Sequence, residues 1–86
     1  MMRFQLICTS GYGDHYRYMI ELYLKRLTEN GFRIERDEEH HMVYIHVITL
    51  DDLLRIIEIT ENELIIQKEH TDRNEPILEI YDDWRE

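Results

Sequence analysis

Five histidines, one cysteine and nineteen carboxylates are the groups in this 86-residue chain suited to metal binding, nucleophilic attack or acid–base work. A zinc site needs three or four convergent ligands, and His40, His41 and His46 share one short segment. In regular strand, six residues at about 3.3 Å each put His40 and His46 roughly 20 Å apart. Adjacent His40 and His41 point to opposite faces. Cys8 with His15 supplies a nucleophile and a base but no third, orienting group. Ser10, Asp14 and His15 hold the letters of a hydrolase triad within one turn, where the aligned geometry does not normally form. In so acidic a chain, pairs such as Asp51-Asp52 have no diagnostic value for acid–base catalysis. The expectation is a protein that is not an enzyme and holds no metal or cofactor.

Gly11-Tyr12-Gly13 resembles the start of a phosphate cradle, since free N–H groups at a helix N-terminus favour anions. A dinucleotide fingerprint needs a further glycine where this chain has Tyr16, and the P-loop's G-K-[ST] is absent. The Thr9 to His15 loop is still the one place where a small ligand, such as a nucleotide signal, would be sought.

The acids form the larger constellation. The net charge is −9, which opposes direct binding to nucleic acid or an anionic membrane and favours a basic partner. Residues 1–34 hold only three acids (Asp14, Glu21, Glu29) against five bases, so the other sixteen acids crowd into residues 35–86. Glu35, Asp37, Glu38, Glu39, Asp51, Asp52, Asp82 and Asp83 lie in a hairpin tip, a helix start and the chain end. Spaced there, carboxylates would imitate a row of phosphates to the Arg and Lys of a nucleic-acid-binding protein, with Tyr81 and Trp84 as aromatic anchors. Scattered solvated acids, serving solubility alone, are the plainer alternative.

These groups need elements to position them. Arg3–Cys8 reads as an inner strand, followed by a turn in which Ser10 or Asp14 is available as a helix cap. Tyr16, Met19, Ile20, Tyr23, Leu24 and Leu27 form an apolar stripe at helical spacing, and Asn30-Gly31 stops the helix. Phe32–Arg36 alternates as an edge strand should, and His41–Ile48 reads as a central one. Thr49 with Asp52 makes a shortened capping box, and Leu50, Leu53, Leu54 and Ile57 give the second helix a buried stripe. Glu63–Lys68 is a fourth strand. The order β-α-β-β-α-β predicts a ferredoxin-like α+β sandwich with both helices on one face, a compact unit over residues 1–68. Residues 69–86 form a polar linker and an apolar, acidic tail, with Ile77–Tyr81 as a short added strand. If Val43, Ile45 and Val47 face the helices, then Met42, Tyr44, His46, Gln5 and Ile7 face the other way, and the opposite parity exchanges the two rows. That open face calls for a cover: the tail residues Ile77, Leu78, Ile80 and Trp84, a target protein, or a second copy of the chain in a homodimer. One cysteine excludes a disulfide framework. No apolar run is long enough to span a membrane, and the N-terminus lacks a signal-like pattern, so a cytoplasmic location is expected.

Pro76-Ile77-Leu78-Glu79-Ile80-Tyr81-Asp82-Asp83-Trp84-Arg85-Glu86, with the Thr49–Leu54 helix start and Glu63–Ile66 more loosely, resembles small acidic proteins of phages and prophages of low-GC Gram-positive bacteria. Some of these are similar in size and charge to anti-CRISPR and other anti-defence inhibitors. The resemblance implies an inhibitor that blocks a basic, nucleic-acid-binding bacterial effector. It brings no site residues of its own. A nucleotide-binding sponge and a self-associating phage accessory protein are the alternatives.

Overall fold

The computed structural model describes residues 2–9, 13–67 and 75–82. Strand β1 (Met2–Cys8) leads to helix α1 (Asp14–Glu29), strands β2 (Ile34–Asp37) and β3 (Met42–Val47), helix α2 (Leu50–Thr60), and strands β4 (Glu63–Gln67) and β5 (Ile77–Tyr81). The five strands form one mixed sheet in the order β2-β3-β1-β5-β4.

Helix α1 follows its apolar stripe. Ile20, Tyr23, Leu24 and Leu27 are buried, with Tyr16 and Met19 packed beside them. Its N-cap is Gly13, without a side-chain cap, so Asp14 is the first helical residue rather than the cap, where its charge suits the helix dipole. Its C-terminus closes as a Schellman motif. Gly31 takes φ +90°, its N–H donates to Thr28 O, and Phe32 N–H donates to Leu27 O. Buried Phe32 and Leu27 supply the accompanying apolar contact, so Phe32 belongs to the helix stop and β2 begins two residues later than the alternation predicts.

The expected capping box on α2 is present: Asp52 N–H donates to Thr49 Oγ1, and Asp52 Oδ2 accepts from Thr49 N–H and Ile48 N–H. The expected buried stripe is not. Ile56 and Thr60 face the core, Leu53 and Ile59 are partly covered, and Leu50, Leu54 and Ile57 are exposed. Apolar residues occupy more of this short helix than the sheet and α1 can cover, so periodicity alone misplaces the buried arc.

Of the two parities open to β3, the structure takes the one with Ile45 and Val47 on the helix side. Phe4, Leu6, Cys8, Ile45, Val47, Leu78 and Ile80 meet residues of both helices in one core, which places both helices on one sheet face. Gln5, Ile7, Met42, Tyr44 and His46 take the other. The tail departs from its expected place. Rather than covering the open face or being added at an edge, β5 is interposed between β1 and β4, parallel to β1 and antiparallel to β4. Leu78 and Ile80 are wholly buried under the helices, so the sheet is continuous only with the tail in it, and the strand order departs from a four-strand β-α-β-β-α-β sheet.

Candidate functional site

The hydrogen-bond register decides which side chains meet on the open face. Arg3 pairs with His46 across β1 and β3, and Glu35 pairs with Tyr44 across β2 and β3. Arg3 bridges Glu35 (2.8 Å) and Glu75 (2.8 Å from its second Nη) and stacks over the Tyr44 ring at 4.3 Å. An ionised carboxylate only accepts, so His46 Nε2–H donates to Glu35 Oε1 at 2.6 Å. Arg33 stands 3.4 Å from the same oxygen. The His46 hydrogen bond, and then that of Arg3, hold the Glu35 carboxyl below its ordinary range. Further across, Glu79 accepts from Thr9 Oγ1 and from Gln67 Nε2. This face is therefore partly covered by its own polar lattice, with Tyr44 buried beneath it.

A second polar cluster lies within the fold where β1 and β5 end. Tyr23 O–H donates to Asp82 at 2.8 Å and accepts from Asn62, and all three residues are buried. Nearby, burial and then the fields of Asp82 and Glu79 push the Cys8 thiol up to about 12, so it is not a thiolate at neutral pH. Burial likewise raises Tyr16 and Tyr23.

Strand directions sort the acids into two groups. β3 runs antiparallel to β1, β5 runs parallel to it, and β4 antiparallel to β5. The β2–β3 turn, the start of α1, the start of β4 and the end of β5 thus share one end of the sheet. Asp14, Asp37, Glu38, Glu39, Glu63, Tyr81 and Asp82 all belong to it. Asp51 and Asp52 follow the far end of β3, six residues or roughly 20 Å away. Of the eight acids in the expected constellation, the structure brings Asp37, Glu38, Glu39 and Asp82 to one end, adds Asp14 and Glu63 to them, and leaves Glu35 on the open face and Asp51 and Asp52 at the far end.

Several members are engaged within the fold. Glu35 joins Arg3 and His46, Asp37 accepts from His40 N–H and faces its ring at 2.9 Å, Asp52 caps α2, and Asp82 is buried against Tyr23. Glu38, Glu39 and Asp51 are exposed, and Tyr81 is half-buried opposite Glu63. Glu39 and Glu63 enter no ion pair among the described residues. Asp83 and Trp84, like Ser10, Gly11 and Tyr12 of the Thr9 to His15 loop, lie outside the described residues.

Among the described residues no group of three or more His, Cys, Asp or Glu side chains could hold a metal ion. His46 points to Glu35 and His40 turns back on Asp37, so these two rings serve different local contacts. A shallow groove of about 520 Å³ runs along the outer side of α1 between Asp14 and Lys25. All of its lining comes from that one helix, so it does not gather groups from separate elements. Reasoning from residue types missed Arg3 and Glu75. Parity places Arg3 on the open face, but only the β1–β3 register brings it to Glu35. Among the described residues no helix is long and apolar enough to cross a membrane. Comparison of the chain with family models, curated proteins and solved structures finds no match.

Proposed function

We propose that this chain is a non-enzymatic binding protein, a ferredoxin-like sandwich widened by β5, that uses its acidic sheet end to occupy a basic, nucleic-acid-binding surface of a bacterial effector. The observation that supports this reading is the gathering of Asp14, Asp37, Glu38, Glu39 and Glu63 at one end of the sheet. Within that group Glu38 and Glu39 project from a turn, where Arg and Lys of a partner can reach them without displacing any core contact. The role of a phage-encoded inhibitor, of the anti-CRISPR or other anti-defence kind, belongs to this proposal and draws on the tail resemblance. The buried network of Tyr23, Asn62 and Asp82 serves as the rigid support beneath the acids.

The test is an affinity pull-down from bacterial lysate at low and moderate salt, comparing the parent with E38K/E39K/E63K. The parent is expected to retain a basic nucleic-acid-binding protein that is lost as salt rises, and the variant to lose it at both salts. A partner retained equally by the charge-reversed chain, or recovery of a bound nucleotide and no protein, would overturn the reading.

A further inference from the structure

Three of the four residues that periodicity assigned to the buried stripe of α2, Leu50, Leu54 and Ile57, are on its surface, as is Ile48 just before the helix. Ile48 is 71% exposed, Leu50 72%, Leu54 52% and Ile57 37%. Leu50, Leu54 and Ile57 follow the i, i+4, i+7 spacing, so at about 3.6 residues per turn they form one stripe along the helix. Asp51 and Glu58, seven residues apart, run beside that stripe, and both are exposed. Arg55, the one base in α2, follows Asp51 by four residues and precedes Glu58 by three, so it stands next to both on the helix surface, but its guanidinium is engaged elsewhere. Its Nη2 donates to Asn30 O at 2.8 Å, its guanidinium lies 4.9 Å from the Phe32 ring centre, and Asp52 stands 3.8 Å from its other Nη. The stripe is thus bordered on its solvent side by carboxylates. An apolar centre beside a charged rim is the anatomy of a protein interface, and anchors at this spacing suit helix-to-helix docking.

We propose that α2 is a recognition helix, and that its occupant is a basic amphipathic helix of the partner, with an apolar stripe laid on Leu50, Leu54 and Ile57 and lysines or arginines meeting Asp51 and Glu58. The inference rests on the reading above that the partner is basic, and it adds where apolar contact is made. Charge selects this occupant over a second copy. Pairing two α2 stripes brings two acidic borders together in chains of net charge −9 each.

The experiment titrates the ¹⁵N-labelled chain with a synthetic helical peptide of leucines on one face and lysines on the other. An oligolysine of equal charge and a leucine–glutamate counterpart serve as controls. The leucine–lysine peptide is expected to shift amide signals of residues 48–61. L54S/I57S, whose changes are at exposed positions and whose melting curve should match the parent's, is expected to weaken it about tenfold. D51N/E58Q should weaken it several-fold and flatten its salt dependence, while oligolysine binding should not change in L54S/I57S. Shifts confined to residues 37–39 and 63, or an unchanged affinity in L54S/I57S, would overturn the proposal. So would a parent dimer in ultracentrifugation that L54S/I57S converts to monomer. The two readings fail separately. If E38K/E39K/E63K loses the lysate partner while α2 ignores the peptide, only the recognition helix is lost. If α2 binds the peptide but no basic protein is recovered from lysate, only the acidic-end reading is lost.

Discussion

Cys8 and Glu35 sit on opposite faces of the sheet and are pushed to opposite ends of the pH scale. Burial favours the neutral thiol, so the folded chain holds the Cys8 proton up to about 12, against 9.0 for a free thiol. The unfolded chain loses that proton first, so this contribution to stability is complete below 9.0 and declines as pH rises towards about 12. Glu35 behaves in the reverse sense. His46 and Arg3 favour its ionised form, so its contribution is present above the ordinary value of 4.5 and fades as pH falls through its lower folded value. A melting-temperature profile should therefore fall on both sides of neutrality. Cys8→Ala should flatten the alkaline limb and Glu35→Gln the acid limb, each leaving the other limb intact. The same burial predicts that Cys8 reacts with a thiol reagent at pH 8 only after the chain is unfolded, which a colorimetric assay with and without denaturant would read.

At the scale of elements, α2 separates two kinds of apolar residue that look alike in sequence. Ile56 is fully enclosed by the core, whereas Leu54, two positions away, is half in water. Ile56→Ala should cost about 2–5 kcal/mol, the range for emptying a packed site. Leu54→Ala should fall within about 0.5 kcal/mol of the parent, as surface changes do. Urea unfolding of both variants measures the contrast directly, and equal losses would show that Leu54 belongs to the core after all. The α2 N-terminus is fixed independently of this packing, because Thr49 and Asp52 satisfy each other's backbone N–H groups. Strand β5 holds the sheet together differently. It contributes Leu78 and Ile80 to the core and joins β4 to β1 by parallel and antiparallel ladders at once.

For the molecule as a whole, the charge of −9 acts on folding and on binding with opposite signs. Nineteen acids stand against ten Lys and Arg, so repulsion among carboxylates opposes the compact state at low ionic strength. Adding salt from about 0.01 to 0.15 M shortens the screening length from roughly 30 to 8 Å. The melting temperature should rise over that interval, while affinity for a basic partner or the leucine–lysine peptide falls. Calorimetry and binding titrations across one salt series would test both trends on one preparation. A melting temperature that fell with salt would mean that the internal pairs around Arg3, Glu35 and Glu75 outweigh the repulsion.

Local chemistry was enough to determine the helix stop at Asn30-Gly31, the capping box at Thr49 and Asp52 and the acidic balance, because each depends on neighbours within a few residues or on none; it gave the two rows of β3 but not which of them meets the helices. Helix periodicity also located α1, whose stripe is no wider than the surface that buries it. It misjudged α2, since which side of an apolar helix is covered depends on where the sheet lies. The gathering of acids from the β2–β3 turn and the ends of β4 and β5 was likewise closed to sequence reasoning, as were the bridge from Arg3 to Glu35 and Glu75 and the burial of Asp82. These follow from strand order and register, and above all from β5 entering between β1 and β4. Pairings between residues as distant as Cys8 and Ile80 are set by the competition of whole strands for the same sheet edge, a choice that no short stretch of residues encodes.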